Sequence, residues 1–425
     1  MTGGSLVGPD VETDGATQDS RALKPGQLFV PLVADRDGHE FIADALAAGA
    51  AAYLTNSTVL GGSAILVEDT MAALRDIASA GRSQLDGHVV AITGSVGKTS
   101  TKDLLAGALR RTLRTHASEK SFNNEIGVPL TLLNAPDDSE VVVVEMGARG
   151  LGHVAFLCEV AAPEVGIVTT VAPAHTGEFG SVEAIAVAKG ELIESLPSGG
   201  LAVLNGDNPL VLQMAARTEA QILTFGTSTS CDVFVMSSEV DDQLRVTFKL
   251  ATDWGELTVR PTTRGAHMAT NVAAAVGTAL WLGVPIDAVG SGLGDAKISP
   301  WRMEVTTAAS GATIINDAYN ANPTSMRGAL DSLAQLPQSR KIAIVGYMGE
   351  LGPSERAEHE SIADHIASLG VEMIPVGTAL YGPEPVDEPI AAIEDAAPVD
   401  EDTAILVKGS RSGGLEKIAA ALRSR

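Results

Sequence analysis

The stretch HVVAITGSVGKTS, residues 88–100, restricts this chain more than any other. An apolar run ends at Gly94, a short glycine turn follows, and Lys98-Thr99-Ser100 open a helical pattern, KTSTKDLLAGALRR. The common phosphate loop is G-x-x-x-x-G-K-[ST]. Here that spacing would need glycine at position 92, which is Ile92, so the loop has the shorter form G-x-x-G-K-T. Gly94 and Gly97 let backbone N–H groups approach an anion closely. The helix that follows turns its positive end toward that anion. Gly94, Ser95, Val96, Gly97, Lys98, Thr99 and Ser100 are therefore read as a nucleotide-phosphate loop, with Lys98 on the outer phosphates and the Thr99 hydroxyl on Mg2+. The alternative, a plain glycine turn, does not account for Lys-Thr-Ser in a strand–loop–helix setting.

What surrounds the loop decides what it serves. The 425 residues suggest two to four domains, and 45% hydrophobic residues allow sizeable cores. Residues 1–86 read as a small α/β unit, with a strand at GQLFVPLV (26–33) and helices at 38–50 and 71–85. Residues 87–300 alternate buried strands with helices, including EVVVVEMGA (140–148) and EVGIVTTVAPAH (164–175), which argues for a parallel sheet. From 231 to 260 the alternation shortens into an antiparallel meander, and the helix NVAAAVGTALWLG (271–283) follows. Residues 301–425 hold four further strand-like runs between helices, again a doubly wound parallel sheet. The expected fold is thus three α/β domains, the central one a phosphate-loop ATPase and the last Rossmann-like.

Composition excludes several functions. The net charge is −24, from 53 acidic and 29 basic residues, which disfavours nucleic acid as a partner. Two cysteines, Cys158 and Cys231, make neither a zinc ribbon nor a disulfide framework. The start MTGGSLVGPDVETDG has no basic segment and no apolar core, and no run reaches a membrane span, so the chain is expected in the cytoplasm. A GTPase is excluded because no Asn-Lys-x-Asp guanine reader occurs.

Further polar residues stand where parallel sheets bind ligands. Glu145 ends one apolar strand and His175 the next, so a shared Mg2+ site is expected; taken singly, each is more often a structural group than a ligand. Lys189, on the helix 182–196, reads locally as a solvated helix lysine. His267 and Asn271 lie at i, i+4 at a helix start, as ligands or as a polar cap. Arg302 sits at the apparent domain junction, where it could clamp a phosphate. NDAYNANP (316–323) is a substrate loop or an ordinary turn. Lys408-Gly409-Ser410 is not read as a second phosphate loop, because no glycine turn precedes Lys408.

In this order the pieces resemble the Mur ligases, the ATP-dependent amide ligases of peptidoglycan precursor synthesis. The resemblance rests on DSRALKPGQLFVPL, GSVGKT, FNNEIGVPLTLL, VVEMGARG, DAYNANPTSM, MGELG and VKGSR, and it spans almost the whole chain. It implies a ligase that joins D-alanyl-D-alanine to UDP-N-acetylmuramoyl-tripeptide through an acyl phosphate, acting as a monomer. The alternative is a ligase of the same family with another amine substrate. By resemblance, Asp19, Ser20 and Arg21 lie in the uridine-binding domain, and Asn123 and Asn124 receive the muramoyl substrate. Lys98, Thr99, Glu145 and His175 become the ATP and magnesium residues, and Lys98, His175 and Lys189 the catalytic set. Lys189 corresponds to a lysine that CO2 carbamylates near a second Mg2+. His267, Asn271, Arg302 and Asp317 contact the nucleotide, and Asn320, Asn322 and Lys408 serve the substrate side. Three positions depart from the family pattern: Met268 stands for Asn, Trp301 for Gly, and Tyr347 for Asp. Asp207-Asn208-Pro209 imitates an amino-acid reader of the family but falls in the central segment, so it is a decoy.

Overall fold

A computed structural model describes residues 2–33, 36–119, 121–173 and 176–425. Three sheets organise the chain. The first has five short strands within residues 5–66; its Ser5–Val7 strand is an antiparallel edge, and the others run parallel. The strand expected over 26–33 is only Leu28–Phe29, and the helix expected over 38–50 is a 3-10 turn, Gly38–Phe41, followed by Ile42–Ala47. Gly49, at φ +96°, and Ala50 leave the helix at once for the Ala52–Thr55 strand.

Asp69 starts the next helix, Thr70–Arg82, by accepting the backbone N–H groups of Met71 and Ala72. This helix joins the first sheet to the central domain by packing on helices Gly127–Leu133 and His153–Ala161. Arg82 fixes the contact: it donates to the carbonyls of Leu85, Ala161 and Ala162 and pairs with Glu164 at 2.5 Å.

The central sheet has nine strands. His88–Thr93 lies between Val165–Val168 and Val141–Glu145, all three parallel. The run Val141-Val142-Val143-Val144 is wholly buried, as β-branched residues in a sheet covered on both faces should be. One core lies under helices Lys98–Leu109, Ala269–Trp281 and Ile286–Gly294, and a second under His153–Ala161 and Val182–Glu194 on the other face. The expected meander is present as Val233–Val240, Val246–Thr252 and Gly255–Val259, and it extends the same sheet. The strand expected over 164–175 stops at Val168, because the chain after it turns to back the phosphate loop.

The C-terminal sheet holds the four expected parallel strands, Thr313–Asn316, Arg340–Val345, Glu372–Pro375 and Thr403–Lys408. A fifth, Glu304–Thr307, joins as an antiparallel edge. Its sequence, EVTT, is half exposed and short, so it carried no apolar signal.

Candidate active site

The phosphate loop leaves the sheet between two strand ends, with Ile92 paired to Glu145 and Thr93 to Val168. Gly94 has φ +149°, and a Cβ there would fall 1.9 Å from Thr169 Oγ1. Gly97 has φ +88°, and a Cβ there would meet Asn271 Oδ1 at 2.5 Å. Both glycines are therefore required, one by close approach and both by backbone conformation. The loop is backed by its neighbour: Thr169 Oγ1 donates to Val96 O at 2.6 Å, and Ser95 N donates to Thr170 O at 2.8 Å. Lys98 is half-buried and folds over the loop, donating to Gly94 O at 2.7 Å. Burial holds its ammonium below the ordinary lysine value; Glu145 pulls it back up, and Arg302 adds to the depression.

Thr99 and Glu145 meet as the sequence implied. The Thr99 hydroxyl donates to Glu145 Oε2 at 2.7 Å and accepts from Arg302 Nη2 at 2.8 Å. The other Glu145 oxygen accepts from Asn123 Nδ2 at 2.8 Å, so Asn123 orients a carboxylate that is 1% exposed. Asn124 Oδ1 accepts from Ile126 N at 3.3 Å and Gly127 N at 2.9 Å, where the Gly127–Leu133 helix begins. Lys189, read locally as a solvated lysine, is instead buried, at 3% exposure. Burial first, and the Lys98 charge second, hold its amine well below the ordinary lysine value. His175 lies outside the described residues.

The C-terminal domain supplies the opposite wall. Arg302 lies with its guanidinium carbon 4.4 Å from the centre of the Tyr319 ring. Its buried Nε has no hydrogen-bond partner among the described residues, which leaves a donor for a ligand anion. Asp317 accepts from Met303 N at 3.0 Å and from Lys408 Nζ at 2.5 Å, and Lys408 also donates to Asn320 O at 3.0 Å. Asn322 caps the Pro323–Gln335 helix with a reciprocal Ser325 contact. His267 reaches across the domain junction to Ser332 Oγ at 3.2 Å, and burial lowers its pKa against the pull of Asp317. Asn271 packs its amide against Gly97.

These groups share one cavity of about 910 Å³. Among the expected residues, Ser95 to Ser100, Asn123, Asn124, Glu145, Lys189, His267, Asn271, Arg302, Asp317, Asn320, Asn322 and Lys408 line it. Asp19, Ser20 and Arg21 do not; they stand on the first domain, where Arg21 pairs with Asp19 at 2.8 Å. Tyr319, within the 316–323 loop, lines it too, as do Ser121, Thr169 and Asn205, which motif reading missed. Thr169 follows one buried strand and Asn205 ends another, a signal that could have found them. The decoy Asp207-Asn208-Pro209 is structural: Asn208 holds Val171 O at 2.8 Å and caps the Pro209–Leu212 helix, while Asp207 holds the turn at Thr227.

A phosphate loop on one sheet, faced across a cavity by an arginine and a carboxylate of a second α/β domain, defines a class: a multidomain nucleotide-dependent enzyme that brings two reactants together. Residues 92–279 match the Mur ligase middle domain, and residues 301–421 match the family described as Mur ligase, glutamate ligase domain. The UDP-N-acetylmuramoyl-tripeptide–D-alanyl-D-alanine ligase of Mycobacterium bovis is 39% identical over 392 residues, covering 85% of this chain and 77% of its own. The structure of MurF from Acinetobacter baumannii superposes with a TM-score of 0.88 at 30% identity, covering 99% of this chain and 96% of that one. MurF of Thermotoga maritima, solved in complex with ADP, gives 0.82 at 27% identity and 97% coverage of both. The chain belongs to the Mur ligase family.

Proposed function

We propose that this protein is an ATP-dependent ligase that joins D-alanyl-D-alanine to UDP-N-acetylmuramoyl-tripeptide, forming a peptide bond of a peptidoglycan precursor. The observation that carries the chemistry is the single cavity in which Lys98, Thr99 and Glu145 face Arg302 and Asp317. The similarity to ligases named for this reaction carries the choice of substrates.

The γ-phosphate of ATP passes to the tripeptide carboxylate, giving an acyl phosphate and ADP; the amine then attacks the acyl carbon and phosphate leaves. Such transfer depends on positioning and charge neutralisation. Lys98 is poised to exchange the Gly94 carbonyl for phosphate oxygens. Arg302, brought by the C-terminal domain, adds a second cation beside Thr99. Domain closure would exclude water from the acyl phosphate. Thr99 and Glu145 are hard oxygen donors 2.7 Å apart, of the kind Mg2+ takes, and would hold the ion beside the phosphate loop. The ion, when bound, neutralises charge between the carboxylate and the γ-phosphate. His175 is assigned to the same ion by resemblance.

Lys189 fits a carbamate beside a second Mg2+. Burial and the Lys98 charge lower the pKa of its amine, which favours the neutral form that adds CO2, and a carbamate would place a negative charge near the Lys98 ammonium. Asp19, Ser20 and Arg21 serve the uridine nucleotide, and Asn320, Asn322 and Lys408 the dipeptide side. The working unit is a monomer in the cytoplasm. No helix of the described residues is long and apolar enough to cross a membrane.

Phosphate release tests the reading, with purified protein, ATP, UDP-muramoyl-tripeptide and D-Ala-D-Ala. Turnover requiring all three is expected. Turnover only with UDP-muramoyl-dipeptide and a diamino acid would assign the chain to another amine.

A further inference from the structure

The connector between the central and C-terminal domains, residues 295–302, runs along one face of the helix Lys98–Leu109, from the end of that helix back to the phosphate loop. Contacts recur once per helical turn. Arg111, just past the helix, pairs with Asp295. Gly107 lies so close to Ala296 that a Cβ at 107 would fall 2.6 Å from the Ala296 Cβ. Asp103 Oδ2 accepts from Ser299 N at 2.7 Å. Thr99 Oγ1 accepts from Arg302 Nη2 at 2.8 Å. Positions 99, 103 and 107 are four apart, so they stand above one another on the helix.

The backbone on either side of Arg302 belongs to the C-terminal domain. Tyr319 N donates to Trp301 O at 3.3 Å, and Met303 N donates to Asp317 Oδ1 at 3.0 Å. Trp301 and Met303 are both left-handed, at φ +60° and +49°, a conformation that persists in non-glycine residues only where the surroundings impose it. Ser299, just before this turn, is instead tied to the central domain through Asp103. The Asp103 carboxylate is 8% exposed, and its Oδ1 lies 3.2 Å from Lys102 Nζ. A carboxylate that accepts a backbone N–H makes a charge-assisted bond, stronger than a neutral one. Three extended residues reach at most about 10 Å, so with Ser299 pinned the Arg302 backbone stays within that distance of the helix as the C-terminal domain moves.

Resting on the ATP-binding part of the ligase reading above, we propose that Asp103 is a positioning residue for Arg302: by pinning Ser299 it holds the guanidinium at the phosphate loop, ready for the phosphates of the nucleotide. Asp103 does not line the cavity, so it acts through Arg302 and not on the ligand. The buried Arg302 Nε, without a hydrogen-bond partner among the described residues, is the donor this placement presents.

The test is a double-mutant cycle on ATP affinity, measured by titration calorimetry with the full chain. Arg302→Ala should weaken binding about tenfold, the loss expected for one charge-assisted contact. Asp103→Ala should weaken it at least about threefold in wild type, but less than about 1.5-fold when Arg302 is already alanine, because residues that act through one contact are not additive. Asp103→Ala also takes a carboxylate from Lys102, so a second pair isolates the anchor. Ser299→Pro removes only the N–H donor and should reproduce the loss, whereas Ser299→Ala keeps it and should bind ATP as wild type does. Equal losses in both backgrounds, unchanged affinity in Arg302→Ala, or normal affinity in Ser299→Pro overturns the proposal. The readout needs no peptide bond. A wild type that binds ATP but ligates no D-Ala-D-Ala therefore sinks the choice of substrates alone, and the cycle still decides the role of Asp103.

Discussion

Two lysine-bearing junctions of this molecule use nearly the same residues to opposite ends. At Gly97-Lys98-Thr99 a left-handed glycine ends the loop, so Lys98 opens a helix and its amine folds back over the loop. At Lys408-Gly409-Ser410 the lysine is the last residue of the Thr403–Lys408 strand, and its amine is buried against Asp317. The position of the glycine relative to the lysine decides whether the amine folds over the loop or pairs with the protein's own carboxylate.

Substitution separates the two most sharply. Lys98→Ala should cut kcat by about 10²–10³-fold, as loss of a donor to transferring charge does, with little change in melting temperature. Lys408→Ala should do the reverse first. It leaves Asp317 without its ion-pair partner and should destabilise the fold by about 3–5 kcal/mol, read by denaturant unfolding. Equal effects of both on stability would break the comparison.

Lys189 sharpens it from a third side, as a lysine with no assigned partner charge. Lys189→Ala should lose activity by roughly 10–100-fold, partly restored by acetate, a short carboxylic acid that can stand in for the carbamate. Full activity in the variant would remove the carbamate role. The depressed pKa also sets a sign. Below the unfolded value of 10.5 the unfolded chain binds a proton that the folded amine resists, so this group weakens the fold near neutral pH, and the penalty fades as pH rises toward 10.5. In CO2-free buffer Lys189→Met should therefore be more stable than wild type at pH 7, with the gap closing in alkali.

The loop glycines come next. Gly94→Ala and Gly97→Ala should each cost about 1–3 kcal/mol and weaken ATP binding, Gly94→Ala more so because its Cβ would overlap Thr169. The smallest effect concerns Trp301. Its backbone is left-handed, at φ +60°, which explains why the family pattern has glycine there. Its ring lies 4.2 Å from the guanidinium carbon of Arg411, beside the Lys408 junction. Trp301→Gly should relieve about 1 kcal/mol of backbone strain and lose a comparable cation–π contact, leaving stability nearly unchanged by calorimetry.

The sequence made the phosphate loop and the buried parallel strands legible because both follow from local pattern: glycines before Lys-Thr, and unbroken β-branched runs such as 141–144. It made Glu145 legible only by position, at a strand end. The burial of Lys189 was hidden, because helix 182–194 reads as mixed apolar and polar, and only packing of that helix under the sheet turns the amine inward. The Asn123 contact to Glu145 and the Arg302 contact to Thr99 were hidden for another reason. They join residues 22 and 203 positions apart, a separation that no local periodicity encodes. The Glu304–Thr307 edge and the two-residue Leu28–Phe29 strand were misjudged because short strands are set by pairing partners more than by their own composition.

The central claim is that the phosphate held by this loop goes to a carboxylate. The most direct measurement labels the acceptor: UDP-muramoyl-tripeptide carrying 18O in its terminal carboxylate is turned over with ATP and D-Ala-D-Ala, and the released phosphate is weighed by mass spectrometry. An acyl phosphate predicts one 18O transferred to inorganic phosphate for each peptide bond formed. Product formed with unlabelled phosphate, or with the label in AMP, would contradict the account.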